Sequence, residues 1–439
     1  MKEITLKKTE ELKRTYDKKP VQKALQRVIL NNKLQDIFEK QERKPLTQFY
    51  FSNEIKTLPV TNQKASGRCW LFAGLNVLRE TIARKHNLKN FELSQNYIAF
   101  WDKFEKINYF IESIDDFLES DQDDRTLQHI LKQGIQDGGQ WDMFVSLVEK
   151  YGVVPKEHMV ETDSSSRTRF MNQIINVKLR QYAANARRQK ARTDIAKLKE
   201  RTLEELYTFL VTNFGMPPER FDFEYVDKDE RYHIVKDLTP KAFYQDQIGD
   251  VLKDYISIIN APTKDKPYLK TYTVAYLGNV VGGRPIKYLN LPMKDLKALV
   301  LRQLLSDEIV WFGSDVARYG KRTGGFWDDE SFDFENMLEM DLYMSKEDEL
   351  DYSQGAMNHA MVLTAVNLDE GMPNRWKIEN SWGDKDGEKG YFLASDSWFD
   401  RYVYQAVIHR KYLDEEHLAA WEKEPVVLKP WDPMGSLAQ

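Results

Sequence analysis

The sequence has a single cysteine in 439 residues. That excludes an internal disulfide and any four-thiolate zinc or iron–sulfur centre, and it fits a reducing compartment. The seven histidines, at 86, 129, 158, 233, 359, 409 and 417, lack metal-ligand spacing, so no metal and no other cofactor is expected. Long apolar runs are missing too. Nowhere do about 18 apolar residues stand together, and the opening stretch MKEITLKKTEELKRTYDKKPVQ has no apolar core of signal-peptide length. A membrane is therefore not an expected partner, and the cytoplasm is the expected location. Neither charge sign dominates: 64 Lys plus Arg against 69 Asp plus Glu leave a net charge of −5, which by itself announces no polyanion. What is present is 41% hydrophobic and 12% aromatic content, the composition of a globular chain with core enough for two or three domains.

Along the chain, Val21, Leu25, Val28 and Leu30 keep helical spacing in a charged context, which predicts an N-terminal helical arm over 1–48. KTLPVTNQKASG then reads as a loop entering a helix, and Leu71, Phe72, Leu75, Leu78 and Ile82 keep a period near 3.6 after it. Cys69 falls in the first turn of that helix, within a segment 49–154. Residues 155–304 are mostly helical in pattern and strongly charged, which predicts an inserted helical subdomain. From 305 to 424 the runs EIVWFG, AMVLTAV, RWKIEN, GYFLAS and RYVYQAVIHR read as strands of one antiparallel sheet. The last stretch, 425–439, carries three prolines and predicts an extended tail.

A lone cysteine is commonly a small buried hydrophobe. A helix N-terminus, however, stabilises a thiolate, a flanking Gly67 gives access, and a flanking Arg68 supplies a cation. Downstream, His359 opens one apolar strand and Asn380 closes another, so neighbouring strands can bring both to one sheet edge. A thiolate needs an imidazole partner, and the imidazole needs an acceptor that fixes its tautomer. Each residue alone has a plain structural reading; their joint occurrence favours catalysis.

The stretch Ser66-Gly67-Arg68-Cys69-Trp70 resembles the nucleophile signature of papain-type cysteine peptidases. NHA at 358–360 and NSWG at 380–383 resemble that family's histidine and asparagine motifs. The resemblance implies a papain-like α+β fold of two lobes, a helical lobe with the nucleophile and an antiparallel β-sheet lobe with His359 and Asn380. It further implies Gln63 as the oxyanion side chain and Trp382 as a shield over the His–Asn bond, with Trp70 beside the nucleophile and both tryptophans among the substrate-binding residues. QDGGQW resembles the glycine pair that binds extended substrate backbone, which implicates Gly138 and Gly139, although a bare turn reads the same way.

The departures are informative. Ser66 replaces the family's neighbouring cysteine, so the disulfide of secreted members cannot form. His359 and Asn380 follow Cys69 by about 290 and 310 residues rather than about 130 to 150, which leaves room for the insertion.

With its insertion and its PWDPMGSLAQ ending, the chain resembles the bleomycin hydrolase and bacterial aminopeptidase C family over nearly its whole length. That implies peptide substrates, a homohexamer with an internal chamber, and a C-terminal tail in the cleft whose carboxylate, near Ala438 or Gln439, selects the substrate's amino group. If the family's register ends at alanine, Gln439 displaces that carboxylate by about 3.3 to 3.6 Å, and trimming of Gln439 is expected. An oligo-endopeptidase with a displaced tail is the nearest rival. Residues 178–201 hold nine Lys or Arg against two acidic residues, which reads as a solvated helix face or as a weak nucleic-acid-binding stretch. A nucleic-acid-binding assembly with secondary hydrolysis is the rival from another class.

Overall fold

In the computed structural model, which describes residues 1–43 and 48–438, the expected helix runs Cys69–Lys85. Trp70, Leu71, Phe72, Leu75, Leu78 and Ile82 are all buried, which is the reason for the 3.6 period. The helices Gln95–Asp115 and Trp141–Tyr151 pack beside it and form the helical lobe. Gly74 permits the close approach: a Cβ there would lie 2.8 Å from the Phe144 ring.

The second lobe is built on a sheet of twelve strands among the described residues. At its centre His359–Asp369 pairs antiparallel with Val310–Ser314 on one side and with Met372–Glu379 on the other, and Tyr391–Ser395 continues the sheet. The sheet is mixed rather than purely antiparallel. Tyr255–Ile259 pairs parallel with Tyr288–Asn290, Val426–Leu428 with Lys270–Val274, and Phe326–Trp327 with Tyr391–Ser395.

Three of these strands correct the expectation of a helical subdomain over 155–304. Helices Arg169–Ala186 and Arg192–Phe214 dominate its first half, but Phe221–Val226 and Tyr232–Leu238 form a hairpin. Tyr255–Ile259, Lys270–Val274 and Tyr288–Asn290 then join the main sheet. They are three to five residues long and separated by charged turns, too short for a period to declare itself.

One buried ion pair joins the lobes. Arg79 of the nucleophile helix donates from Nη2 to Glu379 Oε1 at 2.8 Å, and Asn76 Nδ2 donates to the same oxygen at 2.8 Å. Glu379 immediately precedes Asn380, so the helix that starts with Cys69 is fixed against the strand that delivers Asn380. Burial pushes the Glu379 carboxyl up to about 7.

The tail is not simply extended. It enters as the edge strand Val426–Leu428 and ends in a 3₁₀ turn, Pro433–Ala438, with Met434 and Leu437 buried. Asp432 pairs with the buried Lys266 at 3.0 Å and accepts from the Met434 N–H at 2.9 Å. Arg125 lies 3.9 Å from the centre of the Trp431 ring, and Tyr288 Oη donates to the Met434 carbonyl at 3.3 Å. Gln439, and with it the expectation of trimming, lies outside the described residues.

Candidate active site

Cys69 begins its helix, and the backbone geometry of the preceding turn decides where the thiol points. Gln63 donates from Nε2 to the Ser66 carbonyl at 2.5 Å, and its Oε1 accepts from Ser381 Oγ at 2.6 Å, so the loop is bolted to the NSWG segment. Arg68 does not serve the thiolate as expected. Its guanidinium is buried and forks onto Glu161 at 3.1 and 2.8 Å, with Nε on Ser66 Oγ at 3.0 Å. A charge so neutralised braces the turn and offers little field to Cys69. Gly67 likewise has a packing reason: a Cβ there would lie 2.9 Å from Asp137 Cβ.

His359 and Asn380 do meet at one sheet edge. His359 Nε2 and Asn380 Oδ1 are 2.8 Å apart, and the same Oδ1 accepts from the Ser381 N–H at 2.8 Å, which identifies it as the oxygen. Nε2 therefore carries the hydrogen and Nδ1 is left as the base. The Trp382 ring stacks on the imidazole at 4.8 Å between centroids and covers this bond. Trp382→Ala is expected to admit water to it and lower kcat by about tenfold, the net worth of one hydrogen bond, measured by steady-state kinetics.

Cys69 and His359 are both nearly inaccessible, at 4% and 5% exposure, yet both line one cavity of about 540 Å3. Burial pushes the Cys69 thiol up to about 11, against the pull of the Ala360, Trp70 and Cys69 backbone N–H groups; the Ala360 nitrogen is 3.5 Å from Sγ. Burial also pushes His359 down to about 4, with Arg322 adding to the shift and Asn380 opposing it. Each shift disfavours an isolated charge. In a thiolate–imidazolium pair that burial cost remains, but the two opposite charges offset one another's share of it.

The cavity is also lined by Gln63 and Gly138, by Asn358, and by Ser436 and Leu437 of the tail. Ser436 Oγ donates to the Met357 carbonyl at 2.8 Å, and a Cβ on Gly138 would fall 2.1 Å from the Leu437 carbonyl oxygen. The tail backbone thus rests directly on the glycine expected to face substrate.

Two expected substrate-binding residues are placed elsewhere. Trp70 is fully buried and donates from Nε1 to the Asp137 carbonyl at 2.7 Å, and Gly139 is packed under it, where a Cβ would lie 2.4 Å from the indole. Both support the ledge from behind.

Sequence reasoning missed Thr168, Arg169, Asn172 and Gln173, which line the cavity from the start of the helix Arg169–Ala186. It also missed Asp137. The one available signal was that DGG carries an acid directly beside the glycine pair.

A thiol at a helix start, an imidazole tethered to an asparagine, and a glutamine amide, set between a helical lobe and a sheet lobe, define a cysteine peptidase of papain-like architecture. Comparison with known proteins narrows the class. Residues 3–435 match the model of the Peptidase C1-like family, and the chain belongs to that family. It is 46% identical to an aminopeptidase C of Listeria monocytogenes over 437 residues, covering 99% of each chain. It is 41% identical to a bleomycin hydrolase of Gallus gallus over 396 residues, 87% of this chain and 86% of that one. The crystal structure of PepW from Lactobacillus rhamnosis HN001 superposes with a TM-score of 0.97 at 46% identity, covering 99% of both chains.

Proposed function

We propose that this cysteine peptidase is an aminopeptidase, removing residues one at a time from peptide N-termini. The observation that carries the reading is the tail seated on Gly138 inside the cleft that holds Cys69 and His359. Substrate backbone on the acyl side of the scissile bond needs that ledge. With the tail in place, little beyond the first residue fits there, and in this reading the carboxylate that ends the tail selects a free ammonium.

The chemistry follows from the site residues. The Cys69 thiolate attacks the first peptide carbonyl, and the C–S bond forms as the carbonyl oxygen takes the charge, held by Gln63 Nε2 and the Cys69 N–H. His359 then gives its Nδ1 proton to the leaving nitrogen and the C–N bond breaks. Water, deprotonated by the same nitrogen, cleaves the thioester and returns the thiolate. Asn380 keeps the ring oriented throughout.

The test compares one peptide with a free and with an acetylated N-terminus. Cleavage of the free peptide alone is expected; equal cleavage of both would make the protein an oligo-endopeptidase.

Self-association into a hexamer is part of the same reading. It is supported by Ile4, Leu6, Leu12, Val21 and Leu30, which stand exposed on the N-terminal arm. Light scattering of the eluting protein measures it. The nucleic-acid reading loses support, because five of the nine basic residues in 178–201 are already engaged. Lys178 and Arg201 pair with Glu205 and Lys199 pairs with Glu112, while Arg180 and Arg187 donate to backbone carbonyls. A cytoplasmic location remains our reading from the single cysteine; no helix among the described residues is long and apolar enough to cross a membrane.

A further inference from the structure

Beneath the ledge lie four charged side chains that the mechanism above does not use. Asp102, Lys103 and Lys106 come from the helix Gln95–Asp115, and Asp137 comes from the ledge itself. All four side chains are at least nine-tenths buried, and the two cations balance the two anions.

Lys106 Nζ donates to Asp102 Oδ2 at 2.7 Å, to the Gln136 carbonyl at 3.1 Å and to the Gly138 carbonyl at 2.6 Å. Three donors are thereby used, so Lys106 has none left for substrate or for a carboxylate. Lys103 Nζ donates to the Gln136 carbonyl at 3.0 Å and to Asp137 Oδ1 at 2.6 Å. The backbone of 136–138 is gripped from below by both ammonium groups.

Asp137 faces the other way as well. Its Oδ2 accepts from the Gly67 N–H at 2.8 Å and from Thr168 Oγ1, its Oδ1 accepts from Asn172 Nδ2 at 2.8 Å, and its carbonyl accepts from Trp70 Nε1 at 2.7 Å. One residue thus touches the turn before the nucleophile, the indole after it, and the start of the helix that walls the cavity. Burial would raise this carboxyl, but the Lys103 ammonium and the Asn172 and Thr168 donors hold it well below the usual carboxylate range, so it stays an acceptor-only anion at any working pH.

We propose that the buried quartet Asp102, Lys103, Lys106 and Asp137 is a positioning device of the active site. It sets the separation between Cys69 and the Gly138 ledge, with Asp137 as the residue that binds both sides. Two charges of each sign in a desolvated place are a poor route to stability, because well-packed apolar residues serve as well or better. Their value here is directional: ammonium and carboxylate groups fix three backbone groups, the Gln136 and Gly138 carbonyls and the Gly67 N–H, at hydrogen-bond length, and misplacement of a reacting group by about 1 Å slows turnover by about a hundredfold.

The proposal rests on Cys69 being the nucleophile, and its test includes a measurement that needs no substrate. Two charge-neutral double variants divide the device. Asp102→Asn/Lys106→Met frees the ledge only, and is expected to raise KM for a free-amino dipeptide by about tenfold or more while iodoacetamide alkylates Cys69 at a rate within about twofold of wild type. Lys103→Met/Asp137→Asn frees the ledge and the nucleophile turn together, and is expected to lower kcat and the alkylation rate at pH 6 by about tenfold or more as well. Thr168→Val, which deletes one donor to Asp137 and leaves every charge paired, is the milder probe if a double variant does not fold; it should lower alkylation before it lowers the melting midpoint.

Unchanged KM and alkylation in folded variants would overturn the proposal. So would losses that only follow thermal stability, without the KM-against-alkylation split. An inactive wild type whose Cys69 is alkylated normally would instead count against the peptidase reading alone.

Discussion

His359→Ala is expected to abolish peptide hydrolysis, with kcat/KM down by at least about 10⁴-fold, and also to silence the thiol itself. The second effect is the more informative. A thiol pushed up to about 11 by burial is ionised to roughly one part in ten thousand at pH 7. In the proposed mechanism proton transfer to His359 makes the thiolate abundant, because the imidazolium that forms offsets the burial of the new charge. Wild type should therefore be alkylated by iodoacetamide at neutral pH with a plateau between two inflections that belong to the pair. The His359→Ala variant should lose the plateau and react along a single curve that rises only toward strongly alkaline pH. The sign follows from the charges: without the cation, burial favours the neutral thiol and moves its ionisation upward. Alkylation of the variant that matches wild type at pH 6 would mean that some other group activates Cys69. Cys69→Ala serves as the blank, and persistent hydrolysis in it would end the nucleophile assignment.

A chain shortened to end at Asp432 should change the reaction's choice of substrate rather than its chemistry. The truncation keeps the edge strand, the Lys266 pair and the Trp431 contact with Arg125, and removes the 3₁₀ turn that rests on Gly138. Acetylated peptides, which the full chain should refuse, are expected to be cleaved within about tenfold of the rate of the free ones. The free-amino preference should fall by about ten- to a hundredfold, the worth of one charge-assisted hydrogen bond. Rates on matched free and acetylated peptides measure both. A preference that survives truncation would place selection on the walls of the cavity, whose polar groups include Asn172, Gln173 and Asn358.

How much of this the sequence disclosed depended on the range over which each signal acts. The helix from Cys69 was legible because one face of seventeen residues had to be apolar, and His359 and Asn380 were legible because they stand at strand ends in NHA and NSWG motifs that occur jointly with the Cys69 segment. Strands at 255–259, 270–274 and 288–290 were not, since each is too short to average over its turns. Arg68 was misread for a different reason. A cation beside a thiol in sequence turned inward to Glu161, 93 positions away, a pairing that no local pattern reports. Trp70 and Gly139 were recognised as part of the site but assigned to its front, although their contact with one another puts them behind it. Asp137 reads as an ordinary turn acid until the Gln95–Asp115 helix supplies its lysine.

The tie that Asp137 makes to Gly67 also has a consequence for how the protein tolerates its surroundings. Where a covalent sulfur bridge would hold such a turn, any reductant strong enough to keep the nucleophile as a thiol would also threaten the scaffold that aims it. Here the scaffold is ionic and carries no sulfur, so the two requirements separate. Cys69, the sole oxidisable thiol of the chain, can be kept fully reduced in millimolar dithiothreitol while the turn around it is left untouched.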